Sequence, residues 1–345
     1  MEMNNYLNKD IDIIERLILD IDNNYKIDNY DQCFVNLRFL KNTLNINDDS
    51  INYSLSNDNN KIINTDNNNN NNNIKLDIKN LSELNNYVNK KYEYILYNKK
   101  NLIFNVQEDL NLVNTCLNIH KLIISTKPER EYNGISTWYL YDNKVNTLTM
   151  CCKCKIKTSI FHLLSVFSEL DLMKEFIKKF EKIEKIGEFS MFRWVLDIKI
   201  NLPSPLSNRD TIAYGIGKVL PEENSVLITF KSLENGLKEY CNMIVPESDE
   251  KSNYKRIFVN FGYHYIKIIN NEECELYFCG NINPKVSFVP MFIINKVMKE
   301  LAYYLMDAFR KQLENTKDSL IYKERREKNN KFYDMISEKL KILKT

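Results

Sequence analysis

The side chains best suited to chemistry are few and scattered. The chain has three histidines, His120, His162 and His264, and none stands at a spacing that pairs it with a nucleophile. There is no nucleophile elbow, no phosphate-binding loop of the P-loop type and no dinucleotide fingerprint. Gly215-Ile216-Gly217-Lys218 is too short to cradle a phosphate, and it lies in a β-branched and aromatic run, where glycines mark a bulge or a close approach of backbones. Cys151, Cys152 and Cys154 give one Cys-x-x-Cys spacing. A tetrahedral zinc site needs a second pair, and Cys274 with Cys279 is spaced too widely to supply it. The residues therefore assign no catalytic group, no metal and no cofactor, and the clustered cysteines read as small buried hydrophobes. No secretory leader is apparent, so a disulfide framework is not required and free thiols are expected.

Apolar chemistry is better represented. Between residues 190 and 202 strict alternation sets Phe192, Trp194, Leu196, Ile198, Ile200 and Leu202 on one face, against Arg193, Asp197, Lys199 and Asn201 on the other. From about Phe288 to Leu313, Phe292, Ile294, Met298, Leu301, Leu305, Met306 and Phe309 recur at helical spacing. Methionine adapts readily to a flexible chain. Such a stripe is equally that of plain core, and it does not by itself separate core from lid.

The elements that position these faces follow from periodicity and punctuation. Residues 1–45 carry Ile11, Ile14, Leu17, Ile18 and Ile21, then Phe34, Leu37, Leu40 and Leu44, the pattern of a helical hairpin suited to docking. Residues 46–79 collapse into Asn, Asp and Ser, ending in the Asn67 to Asn73 run, and are expected as a disordered linker. Residues 81–125 read helical. The segments 135–141, 146–156, 190–202, 211–219, 225–233, 255–269 and 273–281 read as strands, with a helical stretch from Thr158 to Lys185 between the second and third. This order predicts an α+β fold, an antiparallel sheet curling around a long terminal helix with an apolar gap between them. Residues 317–345 form a charged helical tail, whose basic residues include Lys323, Arg325, Arg326, Lys328 and Lys331.

Two motifs carry a resemblance to a known family. Leu202 to Asp210 reads LPSPLSNRD directly after the alternating strand, and Asn283 to Asn295 reads NPKVSFVPMFIIN at the start of the last helix. Pro203 and Pro205 cannot continue a ladder, and Ser207 and Asn208 supply turn hydrogen bonds. Pro290 suits a first helical turn. Both motifs resemble signatures of the START (steroidogenic acute regulatory-related lipid transfer) domain family, nearest in pattern to phosphatidylcholine transfer protein-like members. The resemblance covers roughly residues 100–315. It implies a helix-grip fold over residues 80–316 and the sheltering of one lipid, with no catalysis, although some proteins of this fold cyclise polyketides. The cavity residues it selects are Met173, Trp194, Leu196, Ile198, Ile200, Arg209, Thr211, Ile294, Met298, Leu301 and Leu305. Choline-binding members hold their headgroup with a middle-helix arginine and an aromatic cage. Aligned with those positions are Met173, Ile198 and Thr211, which supply neither a cation nor the aromatic face a quaternary ammonium needs. Arg209 and Asp210 also read as a structural pair of opposite charges.

Charge and hydropathy bound the partners. Lysine and arginine number 48 against 46 acidic residues, which excludes the strong basic field of a dedicated nucleic-acid binder. No run approaches the roughly 18 apolar residues of a spanning helix. The expected protein is cytoplasmic and transiently membrane-associated. Its partners are a lipid, phospholipid or sterol-like, a membrane surface met through the terminal helix and the 243–254 loop, and a protein docked on the N-terminal helices. A scaffold or lipid sensor working through that hairpin is the alternative to a carrier.

Overall fold

The computed structural model describes residues 2–43, 102–142, 147–202, 204, 207–234, 236–248, 253–283 and 291–344, with backbone only at 2–12, 43 and 291–295. The Asn-rich linker, the helical reading of 81–101, Pro203, Pro205, Pro284, Pro290 and the Ile294 side chain lie outside these residues. The chain divides into two compact units, Met1–Leu110 and Asn111–Thr345.

In the first unit, α1 (Glu2–Lys26) and α2 (Tyr30–Thr43) form an antiparallel pair. Ile14, Ile18, Ile21 and Tyr25 of α1 are buried with Tyr30, Cys33, Leu37 and Leu40 of α2. Ile103 and Val106, from the first part of α3 (residues 102–124), are buried as well. Asp28 takes the left-handed conformation in the α1–α2 turn, at φ 57°, and accepts a hydrogen bond from the Tyr30 hydroxyl at 2.9 Å. The Tyr25 hydroxyl donates to Asp109 at 2.9 Å.

The second unit is a long, mainly antiparallel sheet with helices on both faces. Its strands are β1 (Arg130–Tyr132), β2 (Ile135–Asp142), β3 (Thr147–Ile156), β4 (Phe180–Ser190), β5 (Arg193–Ile200), β6 (Asn208–Leu220), β7 (Ser225–Ser232), β11 (Phe258–Asn270) and β12 (Glu273–Asn283). They run in the order β1-β2-β3-β12-β11-β7-β6-β5-β4. A short hairpin, β8 (Glu239–Tyr240) and β9 (Met243–Ile244), stands apart, and β10 (Tyr254–Arg256) pairs in parallel with the start of β6. The 201–207 stretch of the first motif joins β5 to β6.

Residues directly opposite in a ladder share a face, so the register sorts every strand side chain. The inner face holds Ile135, Leu148, Cys154, Ile156, Ile266 and Leu276, all buried in one core with α4 (Ile160–Ser168) and α5 (Leu170–Phe176). Helix α6 (Met291–Asn315) packs along β2 and β3 on this face. On the outer face, α3 residues from 111 onward pack through Cys116 and His120, whose ring stacks on Tyr265 at 3.9 Å.

Three expectations are corrected. Residues 180–185 are strand, not helix, because β-bulges between Phe180 and Lys182 and between Lys185 and Gly187 shift the alternation and leave Phe180, Ile183 and Ile186 at a three-residue spacing that imitates a helix. The bulges and the exposed Glu181, Glu184 and Lys185 blunt the free edge of this last strand. The 190–202 strand is broken by a turn at Met191 and Phe192 and resumes at Arg193, although Phe192 still packs on Phe332 beside Trp194. Not all cysteines are free: Cys151 and Cys279 lie directly opposite in β3 and β12, Cα to Cα 4.1 Å, and form a disulfide on the outer face.

The charged tail is folded into the same core. Helices α7 (Leu320–Lys328) and α8 (Asn330–Leu340) bury Tyr322, Phe332, Tyr333 and Ile336, and Leu343 follows them in. Asn224, in the β6–β7 turn, exchanges two hydrogen bonds of 2.8 Å with the Lys344 backbone. Phe332 touches both Phe192 and Trp194. Truncating it leaves a cavity in this contact, and Phe332→Ala is expected to cost about 3 kcal/mol in a urea unfolding titration of the whole chain. A change below about 0.5 kcal/mol, the range of ordinary surface substitutions, would mean that the tail does not close the core.

Candidate functional site

The site lies on the inner face of the sheet, and the residues expected from β5 and β6 sit in the half away from α6. Trp194, Leu196, Ile198 and Ile200 stand in line on β5, opposite Gly215, Ala213, Thr211 and Arg209 of β6. All four apolar side chains are half-buried, whereas Val195 on the other face is buried under the β8–β9 hairpin side of the sheet. Trp194 and Ile198 pack against the core, while Leu196 and Ile200 are not part of that packed cluster. Trp194 also carries Lys185 4.5 Å from its ring centroid, and its Nε1 is buried without a hydrogen-bond partner.

The polar members of the expected set are occupied. Thr211 shares a hydrogen bond of 2.6 Å with Ser232, whose hydroxyl accepts from the Val259 amide at 2.8 Å. Arg209 is buried, and its guanidinium donates to the Ser207 hydroxyl at 2.6 Å and to the Ser207 and Asn208 carbonyls. Arg209 and Asp210 are not a pair. Successive strand residues point to opposite faces, and Asp210 instead accepts from Arg256 of β10 at 2.7 Å on the outer face. Both serve the β5–β6–β10 junction. The loop after Tyr240 is likewise tied to the outer face, where Tyr240 meets Phe189 and Tyr214 and Val245 is buried; Ile244 remains fully outside.

Two further placements bear on the site. Met173 is buried in the core on α5. On α6, Met298 is buried beside Ala302 and Met306, Leu301 packs partly against the core, and Leu305 is half-buried outside it. The structure thus gathers the β5 and β6 residues on one face and sets the α6 residues over β2 and β3.

Several residues of this face were not picked out in the sequence. A cross-strand row runs Trp194, Gly215, Phe230, Gly262, Gly280, Met150, Tyr139, and the next runs Gly217, Ile228, His264, Phe278, Cys152, Thr137. The Phe230 ring lies over Gly262 in the space a side chain there would need. Gly280 is buried, yet a Cβ built on it would meet no described atom within 4 Å. Alternation in β11, with Gly262, His264, Ile266 and Ile268 on one face, is the sequence signal that places His264 inside.

Cysteine and histidine chemistry is consistent with this sorting. Cys152 and Cys154 face the inner core and Cys151 the outer face, so the Cys-x-x-Cys spacing does not converge on one point. Burial pushes the Cys116, Cys154 and Cys274 thiols up to about 12, far from a reactive thiolate. Burial also lowers all three histidines to about 4: His120 among Tyr263, Tyr265 and Tyr277, His162 against Thr316, and His264 among phenylalanines.

No family model matches the sequence, and no curated protein does. Solved structures do share its architecture. Human StAR-related lipid transfer protein 5 matches with a TM-score of 0.51 at 13% identity, over 61% of this chain and 96% of that one. Human STARD10 matches at 18% identity with a TM-score of 0.47, over 59% and 76%. A STAR-related lipid transfer protein from Xanthomonas axonopodis matches at 13% identity and a TM-score of 0.45, over 54% and 97%. The chain therefore has the START-like helix-grip fold, an antiparallel sheet around a long C-terminal helix, with a small helical element before it. Among the described residues no helix is long and apolar enough to cross a membrane.

The three histidines give the stability of the chain a pH signature. Each binds its proton near pH 4 when folded and near 6.5 when unfolded. In that window the unfolded chain binds more protons, so stability is lost as pH falls from about 6.5 towards 4. Urea midpoints at pH 7 and pH 5 should differ, the lower pH being the less stable by on the order of 1 kcal/mol or more. Equal midpoints would mean that these rings are solvated in the folded chain.

Proposed function

We propose that this chain binds one lipid molecule on the inner face of its sheet and carries it between membranes, without catalysing a reaction on it. The observation that carries this reading is the glycine-containing row Trp194, Gly215, Phe230, Gly262, Gly280. In that row Gly280 is buried and faces open space among the described residues, on the same sheet face as Leu196 and Ile200, half-buried apolar side chains that the core does not close over. Glycine inside a strand favours the close approach of another group. The fold is also that of a human protein named for lipid transfer. A two-chain lipid exposes roughly 30 methylenes, about 24 kcal/mol of unfavourable hydration, so an apolar shelter removes the main barrier to transfer through water.

The ligand is phospholipid or sterol-like, the membrane contact transient, and the setting cytoplasmic. Met173, Ile198 and Thr211 supply no cation and no aromatic cage, and Met173 is committed to the core. Phosphatidylcholine transfer between vesicles is therefore expected to be no faster than that of other phospholipids, and a strong choline preference would refute the headgroup argument. A second reading, a lipid sensor or scaffold docking a protein partner, is favoured by Leu19 and Phe39, 57% and 58% exposed on the N-terminal hairpin.

Native mass spectrometry of the gently purified chain separates a lipid-binding chain, carrier or sensor, from a scaffold. A stoichiometric lipid adduct supports lipid binding, and an empty chain supports the scaffold. Leu305 sits on the α6 stripe that the core leaves open, so Leu305→Trp should lower lipid loading with the melting temperature unchanged. In a filled core the same change would instead cost about 1–3 kcal/mol by overpacking.

A further inference from the structure

His264 is a polar group on the inner face that the fold itself does not use. Its ring is walled by Phe167, Phe278, Phe230 and Phe309, at centroid distances of 4.7, 5.1, 5.8 and 6.4 Å. Its Nδ1 is buried with no partner, and Nε2 makes no hydrogen bond among the described residues. Leaving a buried donor or acceptor unpaired in apolar surroundings is destabilising. Ile228 and Phe278, its cross-strand neighbours, show the residue types that would fill this place without that cost.

Among the described residues there is open space over Gly280, on the strand that carries Phe278. The pair Gly262 and Gly280 lies two residues along from the pair His264 and Phe278 on the same face, and no described atom stands within 4 Å of where a Gly280 Cβ would be. Burial pulls the His264 imidazolium down to about 4, so at neutral pH the ring is uncharged and offers one donor and one acceptor. A phosphate would call for a cation. The ring contacts of His264 are all phenylalanines, and Arg209, the buried cation of this face among the described residues, is bound to Ser207 and Asn208.

Resting on the lipid-binding reading, we propose that His264 is the hydrogen-bonding anchor for an uncharged oxygen of the bound lipid, a hydroxyl or a carbonyl, held inside the phenylalanine box. The carried lipid is then one whose buried end is neutral, with its charge, if any, away from this box.

The test uses the delipidated full chain and four fluorescent probes: a pyrene-labelled diacylglycerol, the phosphatidylcholine and the phosphatidic acid with the same chains, and dehydroergosterol. One uncharged probe is expected to bind at least about tenfold more tightly than both phospholipids. For that probe His264→Phe should lose about tenfold in affinity, the melting temperature being unchanged or raised. A His264→Phe chain that binds as tightly as the wild type, or a wild type that prefers the phospholipids, overturns the anchor and leaves lipid binding standing. A wild type that takes up none of the four overturns the lipid-binding reading and the anchor with it. Should His264→Phe lower the melting temperature, His264→Gln decides, because it keeps a donor and an acceptor: retained binding supports the anchor, and a tenfold loss overturns it.

Discussion

The pairing register of the long sheet governs everything else in the second unit. A slip of one residue in any strand would turn its whole apolar set to the opposite face. With the observed register, Trp194, Phe230, His264, Phe278, Cys152 and Leu148 all point inward, and Arg193, Asp197, Asp210, Tyr265 and Cys279 all point outward. The outer face can then hold its own polar network, in which Tyr265 donates to Glu223 at 2.8 Å and Lys153 pairs with Glu275 at 2.8 Å. The disulfide between Cys151 and Cys279 joins two strands at a position where that register already sets them opposite each other.

How far this was legible in the sequence depends on whether the deciding information is local. Trp194 to Ile200 could be read because strict alternation survives along β5. In β4 the bulges destroyed the alternation, so its period misled. The Cys151–Cys279 bond joins residues 128 apart, and no local pattern announces that β3 lies against β12. The tail hid its packing differently: Tyr322, Phe332, Tyr333 and Ile336 are few apolar residues among many charges, and their partners, His162 for Tyr322, Phe161 for Tyr333, and Phe192 and Trp194 for Phe332, lie far away in sequence.

The candidate site was half legible for the same reason. Residue type and strand face could be read for Trp194, Leu196, Ile198 and Ile200, but commitment could not. Arg209 and Thr211 are tied to Ser207 and Ser232, partners that come from the turn and from the neighbouring strand. His264 was not picked out, although alternation along β11 marks it as inward, and its box draws Phe167 from α4, Phe230 from β7, Phe278 from β12 and Phe309 from α6. A site assembled from five elements has no motif of its own.

The terminal helix resolves a conflict that its sequence left open, since one apolar stripe served equally as core or as lid. On α6 the apolar residues fall into two rows. Met298, Ala302, Met306 and Leu313 are buried in the core, the row that anchors the helix along β2 and β3. Leu301, Leu305 and Phe309, each one turn from the next, form the second, where Leu301 and Phe309 reach the core edge and Leu305 stays outside it. Phe309 then meets Phe167, Phe176 and His264, which carries this second row towards the inner face. Full and partial burial are thus assigned to different sides of one helix. Changes on the first row act on the stability of the fold, and on the lipid-binding reading proposed above those on the second act on what the inner face accepts.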